Sequence, residues 1–478
     1  MRFSSPRTFL VLAALFCAAA LPLLTAPTQA QQTQSTQSDE SAKRTAWRKT
    51  MKETHFPHRG CFNVSYPSTE WQEVGCVTAP DTPLVPAKAA LPRKGVRPDT
   101  VGDTSGDYTA YVTSGPISSS EGSFPTVTGL GSATNYSLQL NSNLFSTPAC
   151  SGAANQATCW GWQQFVFQNS GSVYMEYWLI NYANPCPGGW NTFTAYGPNY
   201  CWKNSAATST PIQSWVNLPY LTLTGNAVGG SDTAIFTTPG DSLSAVAQDS
   251  VLYLEEGWDA SEFNVFGNGN GDQVSFNLGS TFVVQTAVTN GTTNAPTCGL
   301  ASYTAETNNL YLAPQSGPLC CPYGGASPYI QFVESNNSVA TATCGATGVN
   351  FTASVSFAPT NLNFNVRLDP PGPPSGFAMP FTVTNNYSNV SLDLSTFSSS
   401  SYYLSVVSSG SVNLFNGTYA TANCPSTLAA GQSCKAVAVF GGATPGTFSG
   451  YITVTGTAET SPPAALSGTL PFSASVIE

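Results

Sequence analysis

Residues 160–182 read WGWQQFVFQNSGSVYMEYWLINY, and they set the expectation for most of the chain. The stretch holds two apolar runs, WQQFVFQ and VYMEYWLINY, separated by the turn-forming residues Asn, Ser and Gly. Neither run carries the 3.6-residue apolar period of an amphipathic helix. The pattern therefore predicts two neighbouring β-strands.

The same kind of run recurs on both sides of this stretch. Some twelve short β-rich runs, broken by Gly, Asn, Ser and Pro, lie between residues 102 and 337. A series of this kind in about 235 residues is typical of one two-sheet domain, and that length is ample for a core. We therefore predict an all-β fold with a large jelly-roll or concanavalin-like sandwich at residues 101–340.

A second, smaller β unit is predicted at residues 350–478. Within it, residues 424–454 read CPSTLAAGQSCKAVAVFGGATPGTFSGYITV. This stretch resembles the Ig-like modules of the ASPM/SPD-2/Hydin and choice-of-anchor class. The resemblance implies an immunoglobulin-like β-sandwich that serves as a spacer or docking module, without catalysis.

The first 30 residues have the pattern of a cleaved secretory signal peptide. A short basic start is followed by the apolar stretch FLVLAALFCAAALPLL and then by TQA before Gln31. No later window offers about 18 consecutive apolar residues, so we expect no membrane span. The sequence predicts a secreted, extracellular protein, with cell-surface association as a further expectation.

The cysteines favour a disulfide framework. Twelve remain after the signal, an even number in an oxidising compartment. Their spacing predicts the pairs Cys61 with Cys76, Cys150 with Cys159, Cys186 with Cys201, and Cys424 with Cys434. Cys298, Cys320, Cys321 and Cys344 allow three connectivities. No CxxC pair occurs and the two histidines are His55 and His58, so we expect no zinc, no other metal and no cofactor.

Charge is distributed unevenly along the chain. Residues 31–100 hold ten of the 15 Lys and Arg, whereas residues 101–478 hold three against 18 Asp and Glu. The acidic body lacks the basic patch that nucleic acid requires, so we expect no nucleic-acid partner. The basic, Pro-rich leader at 31–100 fits two hypotheses: a disordered linker or wall-contacting tail, or a removable prosegment that covers an acidic cleft until low pH or proteolysis releases it.

Carboxylates inside apolar runs are the first candidates for chemistry. Only 8% of the residues are charged, yet Glu176 lies in VYMEYWLINY, and Glu255 and Glu256 lie in DSVLYLEEGW. Because burying a bare charge is costly, each must be bonded, exposed or kept for a reaction. Gln163 and Gln164 on the run before Glu176 add amides that could hold a water beside a carboxylate.

The order of these runs resembles the glutamic peptidase (eqolisin) family. Across residues 159–290 the chain reads WQQFVF, VYMEYWLI, LTLTGN, EEGWDASEFNVFG and GSTFVVQTAV. The resemblance implies an acid-acting endopeptidase with a polypeptide substrate. It assigns the catalytic pair to Gln163 or Gln164, steadying the oxyanion, and to Glu255 or Glu256, serving as general base.

Three other interpretations of the same residues remain. In the first, the protein is a non-catalytic extracellular or surface module that binds glycan or wall material on its aromatic residues. In the second, Glu176 pairs with Glu255 or Glu256 as the two carboxylates of a glycosidase. In the third, the polar side chains make ordinary cross-strand hydrogen bonds. Under the peptidase or binding hypotheses, the predicted substrate-binding residues are Trp160, Trp162, Glu176, Trp178 and Trp258. We expect a monomer. The discriminating observation is whether a Gln and a Glu face each other across one sheet with room for a water, and the predicted catalytic pairing fails if Glu255 and Glu256 both turn away from Gln163 and Gln164.

Overall fold

A computed structural model describes residues 42–52, 56–88, 101–102, 106–130, 133, 135–277, 279–313, 319–336, 339–367, 377–387, 391–414, 418–441, 444–458 and 464–477. The described part is almost entirely β, with a helix at residues 42–52 and several short 3-10 turns. The all-β prediction is confirmed. The predicted signal peptide at residues 1–30 lies outside the described residues.

The strands up to residue 335 build two large sheets and one small one. They are β1 Gly60–Ser65, β2 Gln72–Val74, β3 Val77–Thr78, β4 Val101–Gly102, β5 Asp107–Tyr111, β6 Ser119–Thr128, β7 Ser137–Ser142, β8 Trp160–Gln168, β9 Ser172–Ile180, β10 Asn191–Phe193, β11 Tyr200–Asn204, β12 Ala206–Ser209, β13 Thr222–Val228, β14 Ser231–Thr237, β15 Asp241–Gln248, β16 Ala260–Phe266, β17 Gln273–Val274, β18 Thr281–Thr289, β19 Thr297–Ala301, β20 Thr307–Asn308, β21 Tyr311–Ala313, β22 Cys320–Tyr323 and β23 Tyr329–Ser335.

Sheet 1 has the order β2-β1-β15-β14-β13-β6-β18-β23-β21, with β22 also paired to β23. Sheet 2 has the order β10-β11-β9-β8-β7-β16-β5-β19, with β12 paired to β9 and to β3. Strands β17, β20 and β4 form a small third sheet. The pairings within sheets 1 and 2 are antiparallel, as expected for a sandwich closed by hairpins and longer crossings.

The two sheets pack through large aromatic side chains. Phe167 of sheet 2 stacks on Phe236 of sheet 1, with ring centroids 3.8 Å apart and planes 5° apart. Sheet 1 makes room for such rings with glycine. A Cβ added to Gly122 would lie 1.9 Å from the Phe263 ring, so the absence of a side chain permits this close approach.

Sheet 1 extends into the basic leader. Strand β1 pairs with β15 over six residues, from Gly60 opposite Val246 to Ser65 opposite Asp241. The Cys61–Cys76 disulfide closes a loop within the leader itself. Residues 60–65 are therefore an integral strand of the sandwich rather than a free linker.

A second β-sandwich follows. Its strands are preceded by the hairpin of β24 Val339–Cys344 and β25 Val349–Ala353, and they are β26 Val355–Ala358, β27 Leu362–Arg367, β28 Phe377–Asn385, β29 Leu392–Ser399, β30 Leu404–Val407, β31 Ser409–Asn413, β32 Tyr419–Asn423, β33 Thr427–Leu428, β34 Ser433–Phe440, β35 Gly446–Ala458 and β36 Ala464–Ile477.

One sheet of this sandwich has the order β26-β28-β34-β30 and the other β27-β36-β35-β29-β33. Strand β27 runs parallel to β36, and the other pairs are antiparallel. Phe364 lies between Phe440 and Phe472 in the core of this unit, at ring distances of 5.5 and 6.3 Å. The unit thus has its own hydrophobic core.

Six disulfides are present in the described residues, and they confirm the four predicted pairs. The open set resolves into Cys298–Cys320 and Cys321–Cys344. Adjacent cysteines at 320 and 321 point to opposite faces of β22, which is why they take different partners. Within the described part of the chain, no helix is long and apolar enough to cross a membrane.

Candidate functional site

Four polar side chains form a row across the face of sheet 2 that points away from sheet 1. They are register partners on the consecutive strands β9, β8, β7 and β16: Glu176, Gln164, Asn141 and Glu262. Phe165, next to Gln164, points into the core between the sheets. Because side chains alternate along a strand, the four polar side chains share the opposite, outer face. We call them the polar row.

The polar row is fully buried, yet its hydrogen bonding is incomplete. Asn141 Nδ2 donates to Glu262 Oε2 at 2.8 Å, and the Trp178 indole N–H donates to Glu176 Oε1 at 2.7 Å. Among the described residues, both amide atoms of Gln164, Glu176 Oε2 and Glu262 Oε1 have no hydrogen-bond partner. Buried polar atoms are nearly always bonded, so a run of unsatisfied neighbours indicates a site for a polar ligand or a reacting water.

Burial raises the pKa of the carboxyl groups on this face. For Glu176 the pKa lies well above its ordinary value because the group is desolvated, and hydrogen bonds from an indole and a backbone N–H oppose the shift. Desolvation also raises the pKa of Glu262, and the nearby carboxyl of Glu306 raises it further. Desolvation raises the pKa of Glu306 to about 7. Carboxyl groups with such perturbed pKa values mark candidate proton-transfer sites.

Tryptophans cover one end of the outer face. Trp162 and Trp178 are register partners with ring centroids 6.4 Å apart, and Trp202 stacks on Trp178 at 6.1 Å. The insertion between Cys186 and Cys201 supplies β10 and part of β11, which extend sheet 2 beside these rings. Trp162 and Trp178 are consequently fully buried, and they form the wall of the site rather than an open platform.

Part of the leader lies against this face. We call residues 79–88 the strap. The backbone N–H of Leu84 donates to Glu176 Oε1 at 2.9 Å, and that of Val85 donates to Glu306 Oε1 at the same distance. Two adjacent amides of one polypeptide segment thus bind two buried carboxyl groups.

The structure brings five of the predicted site residues onto the outer face. Gln164 and Glu176 are directly opposite each other on β8 and β9. Trp160, Trp162 and Trp178 lie on the same face, in the aromatic cluster beside them. The predicted juxtaposition of a Gln and a Glu on neighbouring strands is therefore present for this pair.

Gln163 lies on the other face of β8. Its Nε2 donates to Asp232 Oδ2 at 2.9 Å, between the two sheets. Desolvation raises the pKa of Asp232 well above its ordinary value, and the nearby carboxyl of Asp249 raises it further. Gln163 thus belongs to a buried polar contact of the core, away from the polar row.

The predicted strand DSVLYLEEGW is wrong. The segment forms two short 3-10 turns, Asp249–Val251 and Leu254–Glu256, because Tyr253 between them adopts a left-handed conformation with φ of 61°. The Glu255 carboxylate accepts the backbone N–H groups of Gly229 and Gly230, at 3.3 and 3.0 Å, beside the β13–β14 turn of sheet 1.

Neither glutamate therefore joins the polar row. Glu256 is exposed on its 3-10 turn. The structure does not place Glu255 or Glu256 opposite Gln163 or Gln164 across a sheet, nor does it pair either of them with Glu176 as glycosidase carboxylates. Both alternatives fail because the segment that carries these acids is a pair of turns beside sheet 1 instead of a strand of sheet 2.

Trp258 also lies away from the outer face. It is fully buried in the core, its ring centroid is 5.4 Å from that of Phe165, and its Nε1 donates to the backbone oxygen of Ala260 at 3.0 Å. These contacts explain the side chain by packing alone. It is not part of the candidate site.

Three residues of the site were not predicted from the sequence: Asn141, Glu262 and Glu306. Glu262 lies in the apolar run ASEFNVF, so the criterion that selected Glu176, an acid inside a β-rich apolar run, would have found it. Glu306 lies in TAETNN, where nothing in the local pattern distinguishes it from a surface acid. Its burial depends on contacts with the strap, more than 200 residues away in sequence.

No family model and no curated protein sequence matches the chain. Among solved structures, it is similar to the PapD-like domain 7 of human CEP192 at 14% identity and a TM-score of 0.17, covering 26% of this chain and 86% of that chain. It is similar to the Vibrio cholerae VesB protease at 11% identity and a TM-score of 0.19, covering 72% of this chain and 99% of that chain. At these TM-scores neither likeness establishes a shared fold.

Proposed function

We propose that the protein is an acid-acting endopeptidase of the glutamic type, held in a covered form by its leader. In this proposal Gln164 and Glu262 of the polar row activate the water that cleaves the peptide bond. The observation that carries the proposal is the unsatisfied Gln164 amide, which lies in register between carboxyl groups with raised pKa values on a face that already holds a polypeptide segment.

The geometry suits a water between Gln164 and Glu262. Their strands are separated by β7, so their Cα atoms lie about 10 Å apart, since strand spacing is about 4.8 Å. Asn141 projects from the strand between them onto the same face, so a water that bridges the Gln164 amide and Glu262 Oε1 would lie beside Asn141. Asn141 and the backbone N–H of Tyr303 both donate to Glu262 Oε2, which leaves Glu262 Oε1 available.

The reaction needs two proton transfers, one hydrogen bond to the oxyanion and no cofactor. Ionised Glu262 takes a proton from water, and the hydroxide adds to the carbonyl carbon of the substrate. The Gln164 amide N–H donates to the oxyanion of the tetrahedral intermediate. Protonated Glu262 then gives its proton to the amine nitrogen as the C–N bond breaks, which releases a carboxylic acid and an amine.

The acid pH range follows from the state of Glu262. In the covered form desolvation raises its pKa, so the group is protonated and cannot act as a base at acid pH. Once water reaches the face, the pKa should fall toward the ordinary value for Glu, about 4.3. A general base with that pKa functions in mildly acidic solution, and it needs removal of the cover first.

The test is proteolysis by protein freed of its leader. We expect cleavage of an unfolded protein substrate between about pH 4 and 6, where Glu262 with an ordinary pKa is ionised, insensitive to inhibitors of serine, cysteine and metal-dependent peptidases. Glu262→Gln should lower kcat/KM by at least about 100-fold and Gln164→Ala by about 100- to 1,000-fold. Glu256→Gln, a change of the same chemistry at an exposed glutamate, is the control and should leave activity within about twofold.

Absence of proteolysis in folded, leader-free protein over that range would overturn the proposal. So would full activity of Glu262→Gln. Either result would leave the alternative of a non-catalytic extracellular binding module, for which retention of glycan or wall material would be the next measurement.

A further inference from the structure

The strap is held on the outer face as an extended peptide, chiefly through its main chain. Besides the two amides bound by carboxyl groups, the Val85 oxygen accepts the N–H of Ala305 at 2.7 Å, and the N–H of Ala87 donates to the Tyr303 oxygen at 2.8 Å. Between these contacts, Pro86 forms an isolated antiparallel bridge with Thr304. The strap thus pairs like a short strand with residues 303–305.

The sandwich also binds the part of the strap that precedes Leu84. The Pro83 oxygen accepts the backbone N–H of Asn270 at 2.8 Å, and the Pro80 oxygen accepts Asn204 Nδ2 at the same distance. Main-chain contacts of this kind are independent of side-chain identity, and they are the usual way in which a groove binds an extended peptide.

One side chain of the strap enters a dedicated pocket. Leu84 is completely buried in an apolar cluster with Val166 of β8, Tyr174 of β9 and Ala207 of β12. Its backbone N–H donates to Glu176, so one residue both fills the pocket and contacts the polar row. The pocket accepts a large aliphatic side chain directly beside the polar row.

Non-covalent contacts would hold the leader in place after a cut behind the strap. The leader disulfide, Cys61–Cys76, has both cysteines on the leader side of residue 88. Lys88, Arg93 and Lys94 are trypsin sites at the end of the strap and just after it. The body itself contains three further sites, Lys203, Arg367 and Lys435, all within strands.

From these contacts we infer that the outer face of sheet 2 is a binding groove for an extended polypeptide with a large aliphatic side chain at the Leu84 position, and that the strap is its resident, inhibitory occupant. The inference deepens the proposed function, and its catalytic consequence depends on that function. The binding itself requires no catalysis, because it depends on the groove that the strap fills.

The experiment begins with limited trypsin digestion of the full mature chain at neutral pH. In the wild type, the disulfide-closed fragment 60–88 should stay with the body on gel filtration. Leu84→Ala should weaken its retention at least about tenfold, since the buried leucine loses most of its contact with the pocket. Val77→Ala changes an exposed leader residue outside the pocket and should leave retention unchanged.

The second arm uses a labelled peptide of sequence APDTPLVPAK, residues 79–88, added to the trypsin-cut protein. It should compete with the strap for the groove and bind, whereas the same peptide with Ala at the Leu84 position should bind at least about tenfold more weakly. This arm needs no mutation of the protein, so it decides the question even where Leu84→Ala fails to fold. Equal binding of the two peptides, or equal retention of wild-type and Leu84→Ala fragments, would overturn the inference.

Running both arms in Glu262→Gln separates the inference from the proposed function. We expect binding to survive this substitution while proteolysis is lost. Peptide binding without proteolysis in the leader-free wild type would contradict the peptidase and leave the groove in place. Proteolysis without selective binding of the leucine peptide would contradict the groove and leave the peptidase.

Discussion

Replacing Glu306 by Gln should change how stability depends on pH. The Glu306 carboxyl is fully buried and accepts the backbone N–H groups of Val85 and Gly271, each at 2.9 Å, and the hydroxyl of Thr304. Desolvation nevertheless dominates and raises its pKa from 4.5 to about 7. The folded protein therefore keeps a proton that the unfolded chain releases.

The sign and size of the effect follow from proton linkage. Below about pH 4.5 both states hold the proton and the contribution of Glu306 to the free energy of unfolding is complete. As pH rises toward 7 the unfolded state gains by ionising, so this contribution is lost. At about 1.36 kcal/mol per pKa unit, the loss is about 3 kcal/mol for this one group. Burial shifts the pKa values of Glu176, Glu262 and Glu334 in the same direction.

Tryptophan fluorescence can follow this sandwich alone, because all nine Trp residues lie between positions 47 and 258. In urea titrations from about pH 4.5 to 8, the wild-type free energy of unfolding should fall steadily as pH rises. Glu306→Gln should reduce the slope of the free energy of unfolding against pH by the equivalent of about one proton. The stability of this variant relative to wild type should therefore improve toward pH 8. Glu256→Gln, at an exposed site, should not change the slope. A flat or rising wild-type curve, or an equal displacement of the Glu306→Gln curve at every pH, would refute the reasoning.

Two further results are expected. Gly122→Ala should destabilise the first sandwich by about 1–3 kcal/mol in the same urea titration, because the new Cβ would overlap the Phe263 ring. Gly188→Ala, the control, has nothing within 4 Å of its added Cβ and should have little effect. Equal midpoints for the two variants would contradict the packing argument. After the trypsin cut, fragment 60–88 should be retained more strongly at pH 5 than at pH 8 on gel filtration, since covering the carboxyl groups favours their protonated forms; release on acidification would show that charge attraction dominates instead.

The local sequence pattern was sufficient to predict the strands, but it was insufficient to predict which candidate side chains face each other. Strands β8 and β9 follow from the apolar runs at 160–182, yet the tandem Gln163 and Gln164 could not be assigned to faces. A slip of one residue exchanges the two faces of a strand, and the register is fixed by the turn and by the neighbouring strands. The structure places Gln164 opposite Glu176 and turns Gln163 toward Asp232.

The remaining errors have the same physical origin in long-range structure. The apolar run DSVLYLEEGW predicts a strand, but Tyr253 adopts a left-handed conformation that breaks it and that leaves no signal in the sequence. The connectivity of the cysteines at 298, 320, 321 and 344 depends on which strands the fold brings together. Glu306 is a site residue only because the strap reaches it from the other end of the domain.

The strap links the covered form of the protein to the protonation of the carboxyl groups in the site. The contacts that cover Glu176 and Glu306 also keep water from them, and desolvation is the main cause of their raised pKa values. Because the covered form takes up protons, acidification strengthens this part of the interaction, and the leader is further held by the strand pairing of β1 with β15. We therefore expect a cut behind residue 88, followed by loss of the leader, to open the site, with acid alone insufficient. The entry of water that follows would lower the pKa of Glu262 and so supply the ionised base that an acid peptidase requires.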